Sequence, residues 1–292
     1  MSKDSTPSGH PSLGTLIDEN SLKLVEVLGT GGYGVVYRAV DAYSRSPRSY
    51  AVKCLAYAND RSAARRHLHM REVALHQLAS SHSSVVTLHR VVREHNCLFL
   101  VMEYATDGDL FAQILTETTY LGRDDLIKKT FLQIIDAVQH CHYLGIYHRD
   151  LKPENVLCFD RGYRVAITDF GLATTDKTSK EFRTGSVYHM SPECQSADSR
   201  SGSATYSPQH NDIWSLGIML LNLTTGRNPW KSATPDDPTF QAYKRHPRRF
   251  LKQVLPISEE LNNILEGALA VDWKKRMSLS EMATAIKRVR TF

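Results

Sequence analysis

Near Asp107-Gly108-Asp109 the repeat of this sequence changes, and that change limits the fold more than any other feature. Before it, short β-rich runs alternate with polar or glycine-rich breaks. They are Leu22, Leu24, Val25 and Val27; Val35-Val36-Tyr37; Tyr50 to Leu55; Val85 to Leu88; and Leu98 to Met102. Runs of this kind read as strands. One charged stretch, Ala63 to Leu78, carries Leu68, Val73, Leu75 and Leu78 and reads as a helix. After the change, Ile127, Phe131, Ile134, Ile135 and Val138 recur at helical spacing and predict a long amphipathic helix. Ile213 to Leu223 is apolar nearly all round, which predicts a buried helix. Leu261 to Leu269 and Ser280 to Val289 predict two more. The expected class is α+β, and 292 residues leave room for two lobes sharing a cleft.

Composition excludes several classes. An apolar fraction of 41% with 23% charged residues argues against wholesale disorder. A net charge of +5 is too small to argue for DNA or RNA. The basic runs Lys244-Arg245-His246 with Arg248-Arg249, and Lys287-Arg288 with Arg290, read as solvated faces before nuclear signals. Cys54, Cys97, Cys141, Cys158 and Cys194 are scattered and include no CxxC pair. They suggest neither a disulfide framework nor a zinc site, and a cytoplasmic location, extending to the nucleus, is expected. No apolar run approaches a membrane span, and Ser2 stands where myristoylation needs glycine. Residues 1–18 are expected to be a flexible N-terminal tail, polar over the first 14 and without a signal-peptide core.

The motifs carry more. Gly29-Thr30-Gly31-Gly32-Tyr33-Gly34-Val35-Val36 fits G-x-G-x-x-G-x-V. Glycine lets the backbone approach phosphate oxygens with no Cβ in the way. In a dinucleotide fold a helix would begin within such a motif. Here Val36-Tyr37-Arg38-Ala39-Val40 continues as strand. Ala51-Val52-Lys53 follows, and Glu72 lies on the predicted helix. Then comes His148-Arg149-Asp150-Leu151-Lys152-Pro153-Glu154-Asn155, the most specific run in the chain. Asp169-Phe170-Gly171 stands fourteen positions after Asn155, and Ser191-Pro192-Glu193 follows further on.

Together these motifs resemble the eukaryotic protein kinase superfamily, from about Leu22 to Val289. The resemblance implies a bilobal fold over residues 19–292. It has a small β-rich N-lobe at about 19–103 and a larger helical C-lobe at about 104–292, with ATP in the cleft. Asp150 would accept or orient the substrate hydroxyl proton, and Lys152 would neutralise charge on the transferring phosphoryl group. Asn155 and Asp169 would hold Mg2+. Lys53 would meet the α and β phosphates and pair with Glu72, with Glu103 the weaker candidate partner. Leu28, Gly29, Gly31, Gly32 and Gly34 would cover the nucleotide. Val36, Ala51 and Leu157 would sandwich adenine, with Met102 as gatekeeper and Glu103-Tyr104-Ala105 as hinge. Asp109 would reach the ribose. Glu193 would pair with Arg276, and Asp212 would brace the catalytic loop.

The resemblance extends to substrate and regulation. Lys152-Pro153-Glu154 and Ser186 are similar to serine/threonine kinases, so protein substrates bearing Ser or Thr are implied. Leu121 to Leu157, Gly226 to Trp230 and Leu255 to Ser258, with the run from Asn222 to Pro256, resemble fungal nutrient-responsive, meiosis-repressing kinases. Two regulatory readings stay open. An upstream kinase could phosphorylate Thr174, Thr175, Thr178, Ser179 or Thr184 and so engage Arg149. Alternatively, the loop is ordered already. His76 is either a neutral packed ring or a pH-sensitive one. Gln195 to His210, rich in serine, reads as a surface loop. A monomer is expected, with no nucleic-acid or membrane partner. The competing functions are a pseudokinase scaffold, a small-molecule phosphotransferase and a nucleic-acid-binding protein. Retention of Lys53, Asp150, Asn155 and Asp169 weighs against the first.

Overall fold

The computed structural model describes residues 9–31, 34–56, 63–195 and 205–292. The chain divides into two compact units, one ending at Ala105 and the other running from Thr106 to Phe292.

Among its described residues, the first unit is a six-stranded antiparallel sheet with one helix. Its strands are β1 (Leu16–Ile17), β2 (Leu22–Gly31), β3 (Gly34–Asp41), β4 (Ser49–Ala56), β5 (Leu88–Glu94) and β6 (Cys97–Glu103), in the order β1-β2-β3-β4-β6-β5. Alternation sets the faces, because successive side chains point to opposite sides. Val35, Tyr37 and Ala39 are buried against Leu22, Leu24 and Val52. The opposite face is ordered by register: Val36 pairs with Lys53, and Ala51 pairs with Met102. Helix α1 (Ala63–Ala79) buries Glu72, Val73, Leu75, His76 and Ala79. Leu68 and Leu78, expected on its apolar face, are instead exposed. The buried stripe contains a carboxylate and an imidazole, so counting apolar residues misplaces it.

The expected tail is also corrected in part. Residues 1–8 lie outside the described residues. Beyond them, the Tyr37 hydroxyl donates to Pro11 O at 2.8 Å, Gly14 N–H donates to Leu24 O at 2.7 Å, and Ile17 is fully buried. Three apolar residues in a polar stretch, Leu13, Leu16 and Ile17, suffice to add β1 to the sheet.

The second unit is helical around a small hairpin. Short α2 (Leu110–Leu115) precedes α3 (Asp124–Tyr143), in which Ile127, Phe131, Ile134, Ile135 and Val138 are all buried. Strands β7 (Val156–Phe159) and β8 (Arg164–Ile167) pair antiparallel. Then follow α4 (Pro192–Gln195), α5 (Pro208–Thr225), α6 (Pro238–Arg245), α7 (Pro247–Val254), α8 (Glu259–Ala268) and α9 (Leu279–Arg288). Helix α5 starts on the cap residue Ser207 with Pro208 in the first turn. It ends on Gly226 at φ +67°, a left-handed cap that suits glycine. Every residue from Asn211 to Leu223 is buried. A Cβ on Gly217 would lie 2.8 Å from Leu269, so α5 comes close to the chain just after α8. Helices α6 and α7 were not legible in the basic run around residues 244–252.

Candidate active site

In the first unit, glycines shape the β2-β3 hairpin. Gly31 faces Gly34 across it, and Gly32 lies outside the described residues. A Cβ on Gly34, at φ +135°, would stand 2.3 Å from Cys54 O, so only glycine fits there. Gly29 and Gly31 have open space where a Cβ would be. Leu28 is exposed and Val36 half-buried. Lys53, on the inner strand β4, places Nζ 2.6 Å from Glu72 Oε1, with side chains 10% and 5% exposed. Of the two glutamates weighed as its partner, Glu72 is the one it meets. Ala51 and Met102 are buried beside it on the same face, and Glu103, Tyr104 and Ala105 are half-buried where β6 runs out.

In the second unit, a turn holds the acidic run. The Asp212 carboxylate accepts from His148 N–H at 2.9 Å and Arg149 N–H at 2.8 Å. His142 Nε2 lies 2.9 Å from the same group. These bonds fix Arg149 at φ +68°, a left-handed conformation that costs a non-glycine residue about 1–3 kcal/mol. The next residue is Asp150. Its Oδ2 lies 2.8 Å from Lys152 Nζ and 3.1 Å from Asn155 Nδ2, while its Oδ1 is buried with no hydrogen-bond partner. Lys152 Nζ also donates to Ser186 Oγ at 3.0 Å. Asn155 Nδ2 donates a second bond to Asp150 O at 2.9 Å. Both of its partners are acceptors, which fixes the amide orientation and leaves Asn155 Oδ1 as the ligand atom.

Asp169 is held at φ +65° with Oδ1 3.4 Å from Gly171 N. His148 is a brace: Nε2 is 3.0 Å from Thr168 O, and its ring packs on Phe170 at 5.2 Å. Asp109 and Leu157 meet in an antiparallel bridge. Asp109 Oδ1 also caps α2 by accepting from Ala112 N–H at 2.8 Å, so part of its acceptor capacity is already used. Glu193 and Arg276 form a bidentate pair at 2.7 and 3.1 Å.

The protein kinase domain model matches residues 22–286. The chain belongs to the protein kinase family. It is 41% identical over 284 residues to the "Negative regulator of sexual conjugation and meiosis" of Schizosaccharomyces pombe, covering 91% of this chain and 60% of that protein. It is 33% identical over 332 residues to serine/threonine-protein kinase VHS1 of Saccharomyces cerevisiae, covering 94% and 71%. It is 32% identical over 263 residues to a human SNF-related serine/threonine-protein kinase, covering 89% and 32%. The likeness to fungal kinases that includes a meiosis regulator is thus borne out. The chain spans between about a third and seven-tenths of the length of these relatives.

The kinase domain shows one contact that the motifs did not foretell. The Arg149 guanidinium reaches Glu181, with Nη1 2.6 Å from Oε2. Glu181 has no fixed spacing from Arg149, so sequence gave no sign of it. Burial works against the Arg149 charge, but its hydrogen bond to Glu181 and its contacts with Tyr206 hold its pKa above the usual value. Of the hydroxyls proposed for phosphorylation, Thr174 and Ser179 are buried, Thr184 is half-buried, and Thr175 and Thr178 are exposed. The ends of the serine-rich stretch are buried too. Gln195 Nε2 donates to Val187 O and Met190 O, and Tyr206 is 3% exposed. Residues 196–204 of that stretch lie outside the described residues.

The residues fit a nucleotide-borne divalent cation better than a resident metal. Among the described residues no group of three or more His, Cys, Asp or Glu could hold an ion alone. An amide oxygen and one carboxylate suit Mg2+, which binds through few protein ligands and keeps phosphate or water for the rest.

Proposed function

We propose that this domain is a serine/threonine protein kinase that transfers the γ-phosphate of Mg-ATP to protein hydroxyls. The observation that carries this reading is the asymmetric Asp150 carboxylate. Lys152 and Asn155 occupy Oδ2, while Oδ1 is buried and without a partner. A buried carboxylate oxygen without a donor is costly, and an incoming hydroxyl would relieve it. Asp150 then orients that hydroxyl and takes its proton as the oxygen–phosphorus bond forms. Lys152, already beside Asp150, neutralises charge on the transferring group. Its bond to Ser186 Oγ ties the residue that would lie near the substrate to the catalytic loop. Lys53, held by Glu72, would grip the α and β phosphates, and the side-chain-free Gly29 and Gly31 would let backbone approach them. The cation held by Asn155 and Asp169 would supply charge neutralisation between the phosphates.

Protein substrates, action as a monomer and a location in the cytoplasm, extending to the nucleus, belong to this proposal. The five cysteines are all unpaired and buried, which suits a reducing compartment. Among the described residues no helix is long and apolar enough to cross a membrane. The test is transfer of labelled γ-phosphate from Mg-ATP to a Ser/Thr/Tyr peptide library, with Asp150→Asn as control. Label on Ser or Thr that falls about 10²–10⁴-fold in the variant supports the reading. Label on Tyr alone, or equal transfer by both proteins, overturns it.

A further inference from the structure

Arg149 stands one residue before Asp150, and its side chain is 2% exposed. A buried guanidinium needs a counter-charge and partners for its N–H groups. Apart from a contact with Tyr206, they come from the segment between Asp169 and Glu193. Nε donates to Leu172 O at 2.6 Å, Nη1 donates to Glu181 Oε2 at 2.6 Å, and Nη1 lies 3.5 Å from Ser179 Oγ. The segment is fastened a second time beside this contact. Ser179 and Tyr206 exchange both backbone hydrogen bonds at 2.9 Å. Phe182, next to Glu181, packs on buried Met190, Cys194 and Tyr206. Thr184 Oγ1 donates to Glu181 O at 2.8 Å, which holds the Glu181 backbone in place.

This arrangement leaves little for a phosphate to do. Thr174 and Ser179 are 2% and 6% exposed, and each takes part in a backbone bridge that would have to open. Thr175 and Thr178 are exposed, and neither is among the hydrogen-bond partners of Arg149. Meanwhile Arg149 and Asp150 share one rigid turn, set by Asp212. Whatever holds the Arg149 side chain therefore also holds the backbone that aims Asp150.

We propose that Glu181 is a positioning residue whose encoded carboxylate takes the place of a phosphate on Arg149, so that the kinase is active without phosphorylation of residues 172–190. The proposal rests on the kinase reading above. Glu181 touches no reacting atom. It acts through Arg149 on the order of the segment and the aim of Asp150.

The experiment uses the whole chain, treated with phosphatase until mass spectrometry finds no phosphate. kcat and KM are measured with Mg-ATP and a Ser/Thr peptide, and hydrogen exchange is followed over residues 172–185. Unphosphorylated wild type should be active. Loss of a hydrogen bond to a charged group should lower kcat of Glu181→Gln about 10- to 100-fold. KM for ATP should move less than about twofold, because ground-state nucleotide binding is untouched. Exchange over 172–185 should quicken, and Glu181→Asp should recover part of both losses. Thr175→Ala and Thr178→Ala should match wild type. Wild-type kcat and exchange in Glu181→Gln would overturn the proposal, as would a wild type silent until Thr175 or Thr178 is phosphorylated. If no form transfers phosphate, exchange decides. Faster exchange in Glu181→Gln keeps the latch and sinks the kinase reading, whereas equal exchange sinks both.

Discussion

Two ion pairs, one in each unit, have the same length and different physics. Lys53–Glu72 and Arg149–Glu181 both bring nitrogen to 2.6 Å from oxygen. In the first, both side chains are nearly buried, at 10% and 5% exposure. In the second, Arg149 is 2% exposed and Glu181 63%. The first joins a sheet strand to a helix, two elements with regular hydrogen bonding of their own. The second joins a left-handed turn to a loop residue. Distance therefore does not rank these pairs. What ranks them is where the remaining charge sits when one partner is removed. In the first unit either remaining charge is buried; in the second only Arg149 is, and it keeps its bond to Leu172 O.

The largest effect is expected where both charges are buried. Lys53→Met removes the ammonium 2.6 Å from the Glu72 carboxylate, whose side chain is 5% exposed. Breaking a buried pair from one side costs about 3–5 kcal/mol. Urea unfolding should show a loss of that size together with loss of phosphate transfer. Replacing both residues, as Lys53→Met with Glu72→Leu, should recover most of the stability and none of the activity. A single-variant loss below about 1 kcal/mol would put the pair in the exposed class and break the comparison.

A neutral contact sharpens it next. His189 is 7% exposed, and its Nε2 lies 2.9 Å from Asn222 Oδ1. Burial pushes its pKa down to about 4, with Asn222 and Asp150 pulling the other way and Lys152 adding to the fall. The folded state therefore binds a proton less readily than the unfolded chain, where histidine titrates near 6.5. Below pH 6.5 the unfolded chain holds more protons, so stability falls as pH drops from about 6.5 towards 4. The full effect is about 3 kcal/mol, at 1.36 kcal/mol for each pH unit between the two values. His189→Gln should flatten this part of the stability–pH curve. An unchanged slope in the variant would assign the acid sensitivity to other groups.

The same contrast explains what could be read from sequence. The run Val35-Val36-Tyr37 was legible as strand, and a 3.6-residue repeat marked Ile127, Phe131, Ile134, Ile135 and Val138 as one face, all of them buried although polar Thr130 is buried with them. Apolar periodicity misplaces the buried face of α1, which includes Glu72 and His76, and misses Leu13 to Ile17, where a few apolar residues sit in polar company. The acidic catalytic run and the strand lysine were legible because their chemistry requires particular residues at narrow spacing, whereas the Glu193–Arg276 pair, 83 residues apart, followed only from the family resemblance. Asp109 was legible as a polar residue in the right place, but its work as the cap of α2 depends on a backbone N–H that no spacing rule displays. Glu181 left no mark, since a loop glutamate 32 residues from its arginine looks like any solvated acid.

The smallest change in stability is expected at Glu181, and its smallness is the point. Glu181→Gln removes a partner that is mostly in solvent, and Arg149 keeps its bond to Leu172 O at 2.6 Å. Exposed ends of ion pairs contribute about 0–1 kcal/mol, and salt screens them. Urea unfolding should therefore move by less than about 1 kcal/mol while kcat falls at least tenfold. Raising ionic strength from about 0.05 to 0.5 M should shorten the screening length to a few ångströms and lower wild-type kcat more than that of Glu181→Gln. A stability loss above about 2 kcal/mol would make the second pair structural like the first, and the low activity of the variant would then follow from damage to the fold.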